Sequence, residues 1–254
     1  MFIKIEIKKK IGILTINRPD ALNAMNLEVL KELDKSVHSL IKDDDVGVII
    51  ITGAGEKAFI AGADIKLMEG LNSKSGYDFA RLGQKVTLTI ENSPKPVIAA
   101  VNGFALGGGC EISLACHMRF ASENAMFAQP EVKLGLIPGW GGTQRLPRIV
   151  GKGHAIELII GGQMINVEKA VQIGLVNKVF PLNNLIKETT LFCNLILRNG
   201  PGSLKDSLAC INDSAGKTIY EGLENEAKVF GNRFETKETS EGLNAFIQKR
   251  SPKF

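Results

Sequence analysis

The sequence is sparing with cysteine, histidine and long apolar runs, and each scarcity closes off a class of function. Only four cysteines occur, Cys110, Cys116, Cys193 and Cys210, and none forms a CxxC pair. The three histidines, His38, His117 and His154, have no ligand spacing beside them. Neither a disulfide framework nor a zinc site is therefore expected. The longest apolar runs, such as Val48 to Ile51, are far too short to span a bilayer. The opening Met1-Phe2-Ile3-Lys4-Ile5-Glu6-Ile7 alternates like a strand and lacks the longer apolar stretch of a secretory signal, so a cytoplasmic protein is expected. Neither sign of charge dominates: 31 Lys and Arg against 27 Asp and Glu leave +4. The one basic cluster, Lys8-Lys9-Lys10, adjoins the first strand as a solvated strand end does, and no basic stripe suggests a nucleic-acid surface. GxGxxG, GxxxxGK(S/T), GxSxG and HExxH are all missing. Gly139 to Gln144 approaches a dinucleotide loop but lacks the last glycine and follows no clear strand. A redox cofactor and a serine-hydrolase site thus have no support.

What is present is a folded α/β chain. Its 254 residues suit one large domain or a domain with an appendage, and 44% hydrophobic with 23% charged residues is the mix of a folded protein. Ile11 to Asn17 reads as a strand ending at Arg18-Pro19. Leu27, Leu30, Leu33, Val37 and Leu40 recur at helical spacing behind Asn26, a good N-cap. Val46 to Thr52 is a continuous run of the kind found in strands buried on both sides. Residues 67–92 read as helical with a polar break near Asn72–Gly76. Pro96 to Val101 and Met118 to Ala121 read as further short strands. Strands alternating with helices predict an α/β architecture. Strand signals stop near residue 182, which divides the chain into a body, 1–181, and a helical part, 182–254.

Two glycine-rich segments and two glutamates carry the chemistry. Asn102 to Glu111 leaves a strand through Gly107-Gly108-Gly109 and enters the apolar run Ile112 to Cys116. Bare backbone at a helix start fits either a tight turn or an anion-binding set of N–H groups. Ala58 to Lys66 is a second small-residue turn, which carries Asp64 and Lys66 at its far end. Glu111 lies on an otherwise apolar helix face, and Glu131 follows Pro130 among apolar neighbours. A carboxyl in such surroundings holds its proton to higher pH and is able to pass it on. Spacing along the chain does not bring the two together.

Taken in order, these segments resemble the enoyl-CoA hydratase (crotonase) family. The matching stretches are Asn17-Arg18-Pro19 with Ala21 to Ala24, Ala61 to Lys66, Lys95 to Glu111, Phe127 to Gly135, Ile137 to Arg145, Gly174 to Asn177, and Glu241 to Leu243 with Ala245-Phe246 and Lys249-Arg250. The resemblance covers essentially the whole chain. It implies a spiral of ββα turns with a C-terminal helical trimerisation region, assembled as a homotrimer or a homohexamer. It implies hydration of a 2-enoyl-CoA, short chains such as crotonyl-CoA included. In that scheme Ala63 and Gly108 N–H form an oxyanion hole, and Glu111 and Glu131 flank a water. Ala61, Ala63, Asp64, Ile65, Lys66 and Gly108 contact coenzyme A, while Phe230 and Lys249 approach its adenine end. No metal or redox cofactor is implied. Asp20 stands where some relatives carry a lysine near the coenzyme phosphates, and His117 where an aspartate is frequent, which suggests a structural histidine. Trp140 either packs the core or shapes the acyl pocket. The nearest alternative is a methylglutaconyl-type hydratase, which also keeps both glutamates. Isomerases of the superfamily usually lack one, and RNA binding, known for a relative, lacks a basic stripe here.

Overall fold

A computed structural model describes all residues, Met1–Phe254. Ten strands occur: β1 (Ile3–Lys8), β2 (Ile11–Ile16), β3 (Val48–Gly53), β4 (Ala58–Ile60), β5 (Val97–Val101), β6 (Phe104–Leu106), β7 (Met118–Ser122), β8 (Met126–Ala128), β9 (Ile165–Asn166) and β10 (Lys178–Phe180). The helices are α1 (Leu27–Lys42), α2 (Ile65–Met68), α3 (Ser73–Glu91), α4 (Gly108–Ala115), α5 (Gly142–Val150), α6 (Lys152–Gly161), α7 (Val167–Gln172), α8 (Leu185–Ile196), α9 (Pro201–Asp213), α10 (Ile219–Arg233) and α11 (Lys237–Ile247).

The strands form a six-stranded sheet, β1-β2-β3-β5-β7-β10, and a four-stranded sheet, β4-β6-β8-β9. Each of the strand pairs β3–β4, β5–β6 and β7–β8 gives one strand to each sheet before the chain turns into helix. The successive pairs stack in parallel, β3 beside β5 beside β7 and β4 beside β6 beside β8. The path is thus a spiral of ββα turns.

Local chemistry sets the elements. All six residues of β3 are buried, as its unbroken apolar run requires. Asn26 Oδ1 accepts from Val29 N at 2.9 Å and caps α1. That helix buries Val29, Leu30, Leu33, Val37 and Leu40. Truncating one of these, Leu33→Ala for instance, is expected to cost about 2–5 kcal/mol. Leu27 departs from the sequence expectation: it sits in the first turn, 38% exposed, and Val29 takes the buried place. The break before α3 falls at residues 69–72, because Asn72 and Ser75 form a capping box and make 73–76 the first helical turn. Lys9 and Lys10 both have positive φ and close the two-residue turn between β1 and β2, so the lysine cluster is a hairpin end.

The main core lies between the sheets and helices α1 and α3 to α7. A second apolar cluster covers the other face of the large sheet, where Leu185, Cys193 and Ile196 of α8 pack on Ile11, Val48, Ile50, Ile98, Ala100 and Phe120. Physically, α8 therefore belongs with the sheet, Leu204 of α9 also packs against this cluster, and α10 and α11 put no residue into either cluster. No helix is long and apolar enough to cross a membrane.

Candidate active site

Parallel stacking places the ends of β4, β6 and β8 side by side, and the chain leaves each end through a tight turn. In open α/β sheets, ligands collect at the carboxyl ends of strands for this reason. Ala63 follows β4, Gly108 and Glu111 follow β6, and Glu131 follows β8.

The first two exits meet backbone to backbone. Gly62 has φ +103, and a Cβ on it would lie 3.3 Å from Leu106 O, while a Cβ on Gly109 would collide with Ile60 O. Glycine at both positions lets the turns touch. Ala63 bridges Met25 in parallel, with Met25 N donating to Gly62 O and Asp64 N to Met25 O, both at 2.9 Å. The N–H of Ala63 itself is thereby turned away from Met25 and has no acceptor within the chain. The Gly108 N–H, first of α4, is likewise without an acceptor, since the opening N–H groups of a helix have none within it. Two adjacent turns therefore each present a free donor.

Asn23 and Asn102 lock this frame. The fully buried Asn23 accepts from Arg18 N at 2.9 Å and donates to Ala58 O at 2.8 Å. Asn102 Nδ2 donates to Gly55 O at 2.7 Å. Both amides fix the loop that feeds β4.

Glu111 is 2% exposed, and its Oε1 accepts from Trp140 N and Gly142 N, each at 2.7 Å. Burial pushes its pKa up to about 7, and the nearby Glu131 carboxylate adds to the rise. The two N–H donors and Arg145 pull the other way. Glu131 begins a short 3-10 segment, Glu131–Leu134, and burial raises its pKa too. Oriented with its nitrogen toward Glu131, the buried Gln129 amide donates to both carboxylate oxygens, at 3.3 and 3.2 Å. The strand ends thus bring together the turns that carry Ala63, Gly108, Glu111 and Glu131, a grouping that the family resemblance implied and that spacing along the chain did not. Gln129, and the Trp140 and Gly142 backbone donors, are members that sequence reasoning did not single out.

The remaining sequence candidates lie further out. Asp64 pairs with Arg18 at 3.5 Å, so its carboxylate already has a partner. Ala61 is half-buried, Ile65 and Lys66 are exposed, and Lys66 forms no ion pair within the chain. Phe230 lies exposed on α10, its ring 5.2 Å from that of Phe234, and Lys249 follows α11 at φ +53. Within one chain α10 packs chiefly on α9. Asp20 is exposed. His117 is structural: Nδ1 accepts from Val97 N at 2.9 Å, Nε2 donates to Glu91 O at 3.0 Å, and burial lowers its pKa. The Trp140 side chain is 3% exposed, 5.5 Å edge-on to Phe79, and fills the space where Gly83 and Gly108 lack a Cβ.

A ββα spiral with strand ends converging on two carboxyls, Glu111 buried and Glu131 half-buried, defines a crotonase-fold protein. Comparison agrees. The enoyl-CoA hydratase from Bacillus anthracis superposes with TM-score 0.96 at 37% identity, over 100% of this chain and 99% of that one. The short-chain-enoyl-CoA hydratase of Clostridium acetobutylicum is 48% identical over 97% of this chain and 94% of its own length. The crotonyl-CoA hydratase of Syntrophomonas wolfei is 46% identical over 98% and 96%. Residues 6–254 match the family model for enoyl-CoA hydratase/isomerase, and the chain belongs to that family.

Proposed function

We propose that the protein is an enoyl-CoA hydratase, adding water to trans-2-enoyl-CoA to give 3-hydroxyacyl-CoA, short chains such as crotonyl-CoA included. The observation that carries this is the pairing of the buried Glu111 carboxyl with the half-buried Glu131 carboxyl, beside two free backbone donors at neighbouring strand ends. The names of the two curated relatives support the short-chain substrate.

The chemistry follows from the site. Charge building on the thioester oxygen is held by Ala63 and Gly108 N–H, and one such donor is worth about a hundred- to a thousandfold in rate. Glu111, as carboxylate, takes a proton from water while the water oxygen bonds to C3. Glu131, as acid, delivers a proton to C2. Proton return from Glu111 to Glu131 restores the starting state. A pKa near 7 suits a base working near neutral pH. Two interacting carboxyls titrate as a unit, so the pair is the functional entity. No metal or redox cofactor enters this scheme.

Lys66 is the natural partner of the coenzyme phosphates, being exposed beside the site and free of ion pairs. The chain acts as a homotrimer or a homohexamer: Tyr220, Phe246 and Ile247 on α10 and α11 are 82, 84 and 76% exposed, an apolar excess that a partner subunit would cover. Phe230 and Lys249 then serve a neighbouring subunit's coenzyme site. Four unpaired cysteines suit the cytoplasm.

The test is loss of the conjugated enoyl absorbance from crotonyl-CoA with formation of 3-hydroxybutyryl-CoA, repeated with longer chains. Hydration fastest with short chains supports the reading. Isomerisation of a 3-enoyl-CoA without hydration overturns it.

A further inference from the structure

The turn that binds Glu111 is itself gripped from outside. The Trp140 N–H that donates to Glu111 Oε1 belongs to the same peptide unit as the Gly139 carbonyl, which accepts from Gln84 Nε2 at 2.9 Å. Gln84 Oε1 in turn accepts from Arg81 Nη1 at 2.8 Å. All three bonds run one way, from guanidinium to side-chain amide to backbone amide to carboxylate. Hydrogen bonds in series polarise one another, and this direction favours negative charge at the far end. The second donor is built alike. Gly142 N–H shares its peptide with Gly141 O, which accepts from Gln144 N at 3.0 Å and Arg145 N at 2.8 Å in the first turn of α5. A helix start polarises one donor, and a side chain of α3 polarises the other.

We propose that Gln84 is a positioning residue for Glu111, acting through the Gly139–Trp140 peptide to hold the carboxylate in place and ionised, with Arg81 as the outer member of the relay. This rests on Glu111 serving in the hydration proposed above. Other groups fix the turn without entering the relay. Thr87 Oγ1 and Arg145 Nη1 both donate to Trp140 O at 3.0 Å, but that carbonyl shares its peptide with Gly141 N–H, which does not reach Glu111. Thr87→Val therefore loosens the turn and leaves the relay intact. The charged and titratable groups around Glu111 are Glu131 after β8, Arg145 on α5 with its partner Glu91 on α3, and Cys110 on α4 itself. β4, β6 and β8 bring none.

Gln84→Met keeps side-chain length and removes the amide. The acid limb of its kcat profile should rise by about half a pH unit, with kcat at neutral pH down roughly three- to tenfold and KM within about twofold. Arg81→Ala, an exposed change that spares the fold, should shift the limb in the same direction by less. Thr87→Val should not move it. Infrared titration of the Glu111 carboxyl, taken as the difference between each protein and its Glu111→Gln counterpart, reports the same shift without turnover. If Gln84→Met and Arg81→Ala both titrate as the wild type does, or Thr87→Val shifts equally, the relay is overturned and the hydratase reading stands. If the wild type does not hydrate crotonyl-CoA, that reading falls, and the infrared shift still decides the relay.

Discussion

The carboxylate of Glu131 rests against the bare backbone of Gly107: a Cβ there would lie 2.7 Å from Glu131 Oε1. Gly107 also has φ +50 and opens the helix that carries Glu111, so one residue sets the approach of both glutamates. Gly107→Ala adds a strained backbone and displaces Glu131. An ångström of misplacement costs about a hundredfold, so kcat on crotonyl-CoA should fall by about that factor. Near wild-type kcat in a folded Gly107→Ala protein would contradict the placement.

Glu111 should trade stability for activity. Burial lifts its pKa from the ordinary 4.5 to about 7, so the folded chain binds that proton more tightly than the unfolded chain does. Stability from this group is then present at low pH and is lost as pH rises through the folded value. Glu111→Gln removes the buried charge and should be more stable than the wild type at pH 8, by on the order of 1–3 kcal/mol. The difference should shrink toward zero near pH 4.5. Thermal melts of both proteins across this range check it, and an equal or lower melting temperature at pH 8 would count against the burial argument.

Lys66 acts far from the reacting carbons, as the second residue of the one-turn helix α2. A contact made alike in ground and transition states changes binding alone. Lys66→Ala should therefore raise KM for crotonyl-CoA with kcat nearly unchanged. A collapse of kcat at constant KM would remove Lys66 from the coenzyme site.

Much of the frame was legible in the sequence because it is locally encoded. β3 and β5 announce themselves as continuous apolar runs, and α1 as an apolar stripe behind an N-cap asparagine. The small sheet was not legible as strands: β4, β6 and β8 have three residues each, too few to show a period. Yet this sheet is what makes Glu111 and Glu131 neighbours, through pairings of residues more than twenty apart in the chain. Apolar surroundings marked each glutamate singly, and only the resemblance to a known family joined them. The donors that grip Glu111 are backbone N–H groups of Trp140 and Gly142, which leave no side-chain signature beyond a glycine-rich turn.

The central claim is that Glu111 and Glu131 act together in one hydration step, and single and double Glu→Gln variants test it most directly. Each change removes proton transfer while nearly preserving shape. Each should lower kcat on crotonyl-CoA by roughly a hundred- to ten-thousandfold. The double variant should be little worse than the worse single, because both groups serve one step, and crotonyl-CoA binding should survive in all three. Hydration at near wild-type rate by either single variant would contradict the two-glutamate mechanism.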